Sequence, residues 1–226
     1  MAEGKLTKEE LREDPLVTAL AELKTFIQTQ GNVLAIVLAV VIALGAGFLI
    51  VRRVAARAEQ AAAVLLIEGE GQYMSENPTE ALNKFQQAMD RHKNTRSGKI
   101  AMLRVADCQL ELGNLEEARR LYQRFLDRAP RDGLVRSSAL RGLASTLDTM
   151  GQKEEAGRTF LKAAEIAASP MRPDDLVSAG NAFLDAGKAG EAEAAFQKVI
   201  ETFPESPRVR DAREGLEMAK ARAGAP

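Results

Sequence analysis

The sequence predicts an all-α chain: one membrane-spanning helix, then about four helix pairs, then a helix that closes the stack. Three observations carry this. Residues 33–51, VLAIVLAVVIALGAGFLIV, hold no charge, no polar side chain and no proline. Beyond residue 62, an alanine followed four residues later by an aromatic recurs at intervals of 37, 38 and 36 residues. Aromatic residues make up only 4 % of the chain while alanine is abundant, as in closely packed helices rather than sheets. The chain divides accordingly into an N-terminal segment (1–32), a span (33–51), a connector (52–61), a repeat array (62–207) and a capping helix with its tail (208–226).

The N-terminal segment offers two helix starts. Thr7 and Glu10 have capping-box spacing, and Asp14 before Pro15 sets a cap ahead of a proline in the first helical position. Leu16, Leu20, Leu23 and Ile27 then recur on one helical face until Gly31-Asn32 interrupts the pattern. That face suits a partner or plain solvent better than lipid headgroups, since Lys24 is the one base in this helix. The span itself is about 28 Å long as a helix, the thickness of a bilayer's hydrocarbon, and only a helix crosses there with its backbone satisfied. A cleaved signal peptide has a short basic leader, whereas this leader is long and net acidic, so an uncleaved anchor fits better. Ala35, Ala39, Ala43 and Gly47 fall four apart on the span and make a strip of small residues against which another transmembrane helix, from a partner or a second copy, would pack. No proline or glycine separates Arg52 from Gly69, so the span is expected to continue into the first repeat.

The repeated pairs are Ala81 and Phe85, Ala118 and Tyr122, Ala156 and Phe160, and Ala192 and Phe196. Gly113, Gly151 and Gly187 stand five residues before the last three alanines, where each ends a helix; Glu76 holds that place in the first copy. Twelve residues before each alanine lies a small residue, Gly69, Ala106, Ala144 or Gly180, and four residues earlier a large apolar one, Leu65, Met102, Leu140 or Leu176. Two antiparallel helices approach closely only where small residues face each other, with bulky ones filling the space around that contact. This pattern resembles the tetratricopeptide repeat family. Pro130 and Pro204 sit at its closing position in the second and fourth copies; Lys93 replaces proline in the first, and Pro170 falls two residues late in the third. The resemblance covers about residues 62–207, after which Val209, Ala212, Leu216 and Met218 form the apolar face of a capping helix.

The resemblance implies a right-handed solenoid whose groove is lined by the first helix of each pair. Carried over by position, the groove falls to Leu66, Glu70 and Tyr73 in the first copy and to Leu103, Asp107 and Leu110 in the second. Arg141, Ser145 and Asp148 follow in the third, and Val177, Asn181 and Leu184 in the fourth. This mixed apolar and acidic lining lacks the lysines with which chaperone-binding repeats clamp a carboxylate, and Leu66, Leu103 and Val177 suit internal packing equally well. A net charge of −1 without a basic face argues against nucleic-acid binding. With one histidine, His92, and one cysteine, Cys108, the chain has too few donors for a catalytic or metal site, and no cofactor is expected. His92 suits a helix C-terminus, and Cys108 a core position.

Orientation divides two arguments. Arg52, Arg53 and Arg57 follow the span, against Lys24 before it, which would hold the repeats in the cytoplasm. The layout of short leader, single span and C-terminal repeats instead resembles the YfgM-like ancillary subunits of the bacterial Sec translocon. That resemblance implies repeats in the periplasm, near translocon or chaperone partners and extended peptide clients. The favoured expectation is therefore a non-enzymatic scaffold of the bacterial inner membrane with its repeats outside the cytoplasm; the alternative is a cytoplasm-facing scaffold for a signalling or cell-division complex.

Overall fold

A computed structural model describes residues 15–128 and 133–224. The described residues are helical throughout, without strands, and run α1 (Pro15–Met74), α2 (Pro78–Arg91), α3 (Arg96–Glu111), α4 (Leu115–Arg128), α5 (Gly133–Thr149), α6 (Lys153–Ala164), α7 (Arg172–Asp185), α8 (Ala189–Thr202) and α9 (Val209–Ala223). The chain forms two units, Met1–Ala56 and Arg57–Pro226. Thr7, Glu10, Asp14 and Pro130 lie outside the described residues.

In the first unit α1 runs straight through Gly31-Asn32, where the sequence pattern predicts a break. One glycine costs a helix only about 1 kcal/mol, too little to end it inside so long a run. From Ala35 to Val51 every residue is exposed, and the guanidinium of Arg52 lies 5.5 Å from the Phe48 ring centre.

The second unit is the helical solenoid. Its first helix is the end of α1, and α2 to α8 complete four pairs. Each pair turns in the same way. Gly113, Gly151 and Gly187 have φ of 77°, 79° and 71°, and Glu76 adopts 57° at the equivalent place. Behind each, an amide reaches back five residues, from Asn77 to Gln72, Asn114 to Gln109, Gln152 to Leu147 and Lys188 to Phe183, closing a Schellman motif. The alanines and aromatics of all four copies are buried. A Cβ at Gly69 would stand 2.4 Å from the Phe85 ring, and one at Gly180 would stand 2.5 Å from that of Phe196, so these rings fill the space that a side chain would take.

The array is closed at its C-terminal end by α9, which buries Ala212, Gly215, Leu216 and Ala219. Phe196 is thereby held against Gly180 and Gly215 together. At the other end, Val64 and Ile67 of α1 remain exposed.

Candidate functional site

The candidate groove residues lie on the first helices of the four pairs. Leu103, Val177 and Leu184 are buried, while Leu66, Tyr73 and Leu110 are partly buried against the core of the first three pairs. Asn181 is exposed, and Ser145 and Asp148 are half-buried. The apolar members thus back the surface, and the polar ones front it.

Ion pairs between residues 34 apart tie successive first helices together, and α7 to α9. The Arg104 guanidinium donates to Glu70 at 2.6 Å and to Asp107 at 3.2 Å, and Asp107 also accepts from the Tyr122 hydroxyl at 2.6 Å. Arg141 donates to Asp175 at 2.6 Å, and Arg208 at the start of α9 donates to Asp174 at 2.7 Å. Asp148 is paired with Lys153 at 2.9 Å, and the Tyr73 hydroxyl donates to Glu111. Arg104, Asp174, Asp175 and Lys153 escaped the sequence reading. The signal that would have found these three inter-helix pairs is opposite charge at a separation of 34 residues: Glu70 with Arg104, Arg141 with Asp175 and Asp174 with Arg208.

Burial sets the electrostatics. It pushes the Asp107 carboxyl above its usual range, against the pull of Tyr122 and Arg104, and raises Asp175 likewise against the pull of Arg141. Burial, with Asp107 beside it, lifts the Tyr122 phenol far above its normal value. The Cys108 thiol is pushed up to about 12 by burial and by neighbouring acids, so it stays protonated and unreactive at neutral pH. His92 caps the end of α2, its amide donating to Ala88, and its carbonyl accepts from the Thr95 hydroxyl that also caps α3. Among the described residues no three His, Cys, Asp or Glu side chains are grouped to hold a metal.

Two of the candidates share a cleft. Val177 and Asn181 line an opening of about 370 Å³ between α7 and α9 with Asp174, Asp211, Glu214 and Met218, and Arg208 crosses it with its charge taken up by Asp174 and Asp211. This surface can accept hydrogen bonds and offers a thioether for apolar contact, which suits a peptide better than an anion.

A stack of helix pairs joined by identical turns, with a polar front on its first helices, defines the class of helical-repeat docking proteins. The chain belongs to the tetratricopeptide repeat-like domain family, whose sequence profile matches residues 24–218. No curated protein matches it. Among solved structures it is similar to a tetratricopeptide repeat protein from Parabacteroides merdae, at 19 % identity and a TM-score of 0.60 over 73 % of this chain. The match spans 61 % of that protein's length. It is also similar to kinesin light chain repeats from Podosopora anserina, at 17 % identity and TM-score 0.59, covering 72 % of this chain and 86 % of that one. YrrB, described as having an unusual peptide-binding site, matches at 16 % identity and TM-score 0.52, over 70 % of this chain and 80 % of its own. At these identities the likeness concerns the fold.

Proposed function

We propose that this chain is a membrane-anchored tetratricopeptide scaffold that holds extended segments of other proteins near a translocon or envelope chaperone of the bacterial inner membrane, without catalysing a reaction. The observation that carries the anchor is α1: near the N-terminus, Gln28–Met74 includes a stretch long and apolar enough to cross a bilayer. Burying that surface in lipid removes the large cost of leaving it in water. Ala35, Ala39, Ala43 and Gly47 would seat a partner's transmembrane helix or a second copy. The groove of Leu66, Glu70, Tyr73, Leu103, Asp107, Leu110, Arg141, Ser145, Asp148, Val177, Asn181 and Leu184 would take the client, with the peptide-binding site of YrrB as a precedent for the fold. Tethering raises the local concentration of the groove around its membrane neighbours, so weak contacts suffice.

The YfgM-like layout favours repeats in the periplasm. Arg52, Arg53 and Arg57 favour the second reading, a cytoplasm-facing scaffold for a signalling or division complex. A reporter active on only one side of the membrane, fused after Pro226, separates them: periplasmic activity is expected, and cytoplasmic activity alone would select the second reading. Photocrosslinking from Asn181 in cells is expected to trap translocon subunits or secretory chaperones, whereas recovery of cytoplasmic proteins alone would eliminate the leading version.

A further inference from the structure

Around the turn between α2 and α3, four cations face one cavity. Lys93, Lys99, Arg124 and Arg128, with Asn94, surround an opening of about 570 Å³ whose floor is Met102 and Phe125, 6 % and 2 % exposed. None of the four side chains has a hydrogen-bonding or ion-pair partner among the described residues. Asp90 and Asp127, close by in the chain, line no part of the cavity. Glu117, on the helix that carries Arg124 and Arg128, is already held by Arg120 at 2.5 Å.

Arg128 in the last turn of α4 is where a helix dipole favours a cation. The same dipole opposes Lys99, just inside the start of α3, and Lys93 shortly before it. The acid that serves that helix start comes from elsewhere: the Glu59 carboxylate accepts from the Arg96 and Ser97 amides at 2.7 and 3.0 Å. Four cations around one cavity, without an ion-pair partner among the described residues, repel each other, a cost that an external anion would lessen. The floor of Met102 and Phe125 is almost wholly buried, so the cations at the mouth select the anion, and a phosphate group suits them.

Glu59 ties the start of this unit to the α3 end of the first two pairs, the end that carries the cavity. In the sequence, Glu59 stands eight positions after Val51, the last apolar residue of the run. We infer that the cavity ringed by Lys93, Lys99, Arg124 and Arg128 is a docking site for the phosphate of anionic phospholipid headgroups. The inference rests on the membrane-anchored reading above.

The test is hydrogen exchange on the full chain reconstituted into nanodiscs of phosphatidylcholine alone or of phosphatidylcholine mixed with phosphatidylglycerol. Near an anionic surface each base is worth about a fivefold gain in association. Exchange across residues 93–102 and 121–128 is therefore expected to slow at least about fivefold in the anionic discs. Residues 176–184 should exchange alike in both. The double variant Lys99→Gln and Arg124→Gln should lose the difference while keeping its thermal midpoint. Equal exchange in the two disc types would overturn the inference, as would the same slowing produced by millimolar inorganic phosphate in phosphatidylcholine discs, which would mark a free-anion site. Failure to enter discs of either composition would instead defeat the anchor itself, and this inference with it.

Discussion

On the apolar run of α1, Ile36, Leu44 and Val51 stand 64 %, 69 % and 67 % exposed, whereas Phe85, Tyr122 and Phe196 of the repeat unit are 1 %, 1 % and 0 % exposed. Both regions are helical, and both are rich in alanine. They differ in where the small residues stand relative to the large ones. In the repeats a glycine or alanine meets a ring on a neighbouring helix, so the unit supplies its own apolar surroundings. Among the described residues the run meets no such partner, and the proposed anchor would find its surroundings in lipid. Helix formation alone therefore distinguishes nothing here; what each helix does with its apolar surface separates the apolar run from the repeat unit.

The sharpest way to test that separation is to damage one region and read both. Phe196→Ala empties the space between Gly180 and Gly215 and should cost the repeat unit about 3–5 kcal/mol in urea unfolding of the full chain in micelles. Membrane recovery should not change; if it falls too, the two regions are not independent. The converse is Val41→Asp, which puts a charge near the middle of the run at a cost of about 3 kcal/mol for insertion. The chain should leave the membrane fraction while its repeat unit unfolds at the same urea concentration.

A smaller effect compares turns within the repeats. Glu76 holds φ 57°, a conformation that costs a non-glycine residue about 1 kcal/mol, so Glu76→Gly should stabilise the repeat unit by about that amount and Gly187→Ala should destabilise it similarly. Matching shifts of opposite sign in the thermal midpoint would show that the four turns are one motif; no gain from Glu76→Gly would single out the first.

The smallest expected change is in pH dependence. Burial raises the Asp107 carboxyl in the folded protein, so folding favours its protonated form. Its contribution is then fully present below the unfolded value of about 3.9 and is lost as pH rises through the folded one. Asp107→Asn keeps an acceptor for the Tyr122 hydroxyl and removes that slope. Urea midpoints from about pH 4 to about pH 7 should fall less steeply in the variant, with differences under about 1 kcal/mol. An unchanged slope would show that Asp107 is as well solvated folded as unfolded.

The repeat unit was readable from sequence because its signals are local and periodic. Ala118 with Tyr122, and Gly113 ahead of them, lie within one turn and one helix, and the same spacing returns three more times. Even Glu76, a departure from the glycine pattern, marked a turn, because its position in the period was fixed by its neighbours. The continuity of α1 through Gly31-Asn32 was hidden, since a glycine weakens a helix without deciding whether it ends. The ties from Glu70 to Arg104 and from Arg141 to Asp175 were missed as well, although the opposite charges recur 34 residues apart. They depend on the rotation of each helix pair against the next, which a hydrophobic pattern does not specify. For the same reason the groove positions straddle a boundary: Leu103, Val177 and Leu184 turn inward while Asn181 on α7 faces out.

The central claim is that residues 33–51 sit in lipid and carry the repeats with them. Flotation of alkaline-washed native membranes, probing the full chain with antibodies to both ends, addresses it directly. The account predicts that the intact chain rises with the lipid after the wash. Recovery of the intact chain, its apolar run uncleaved, in the aqueous fraction would contradict it.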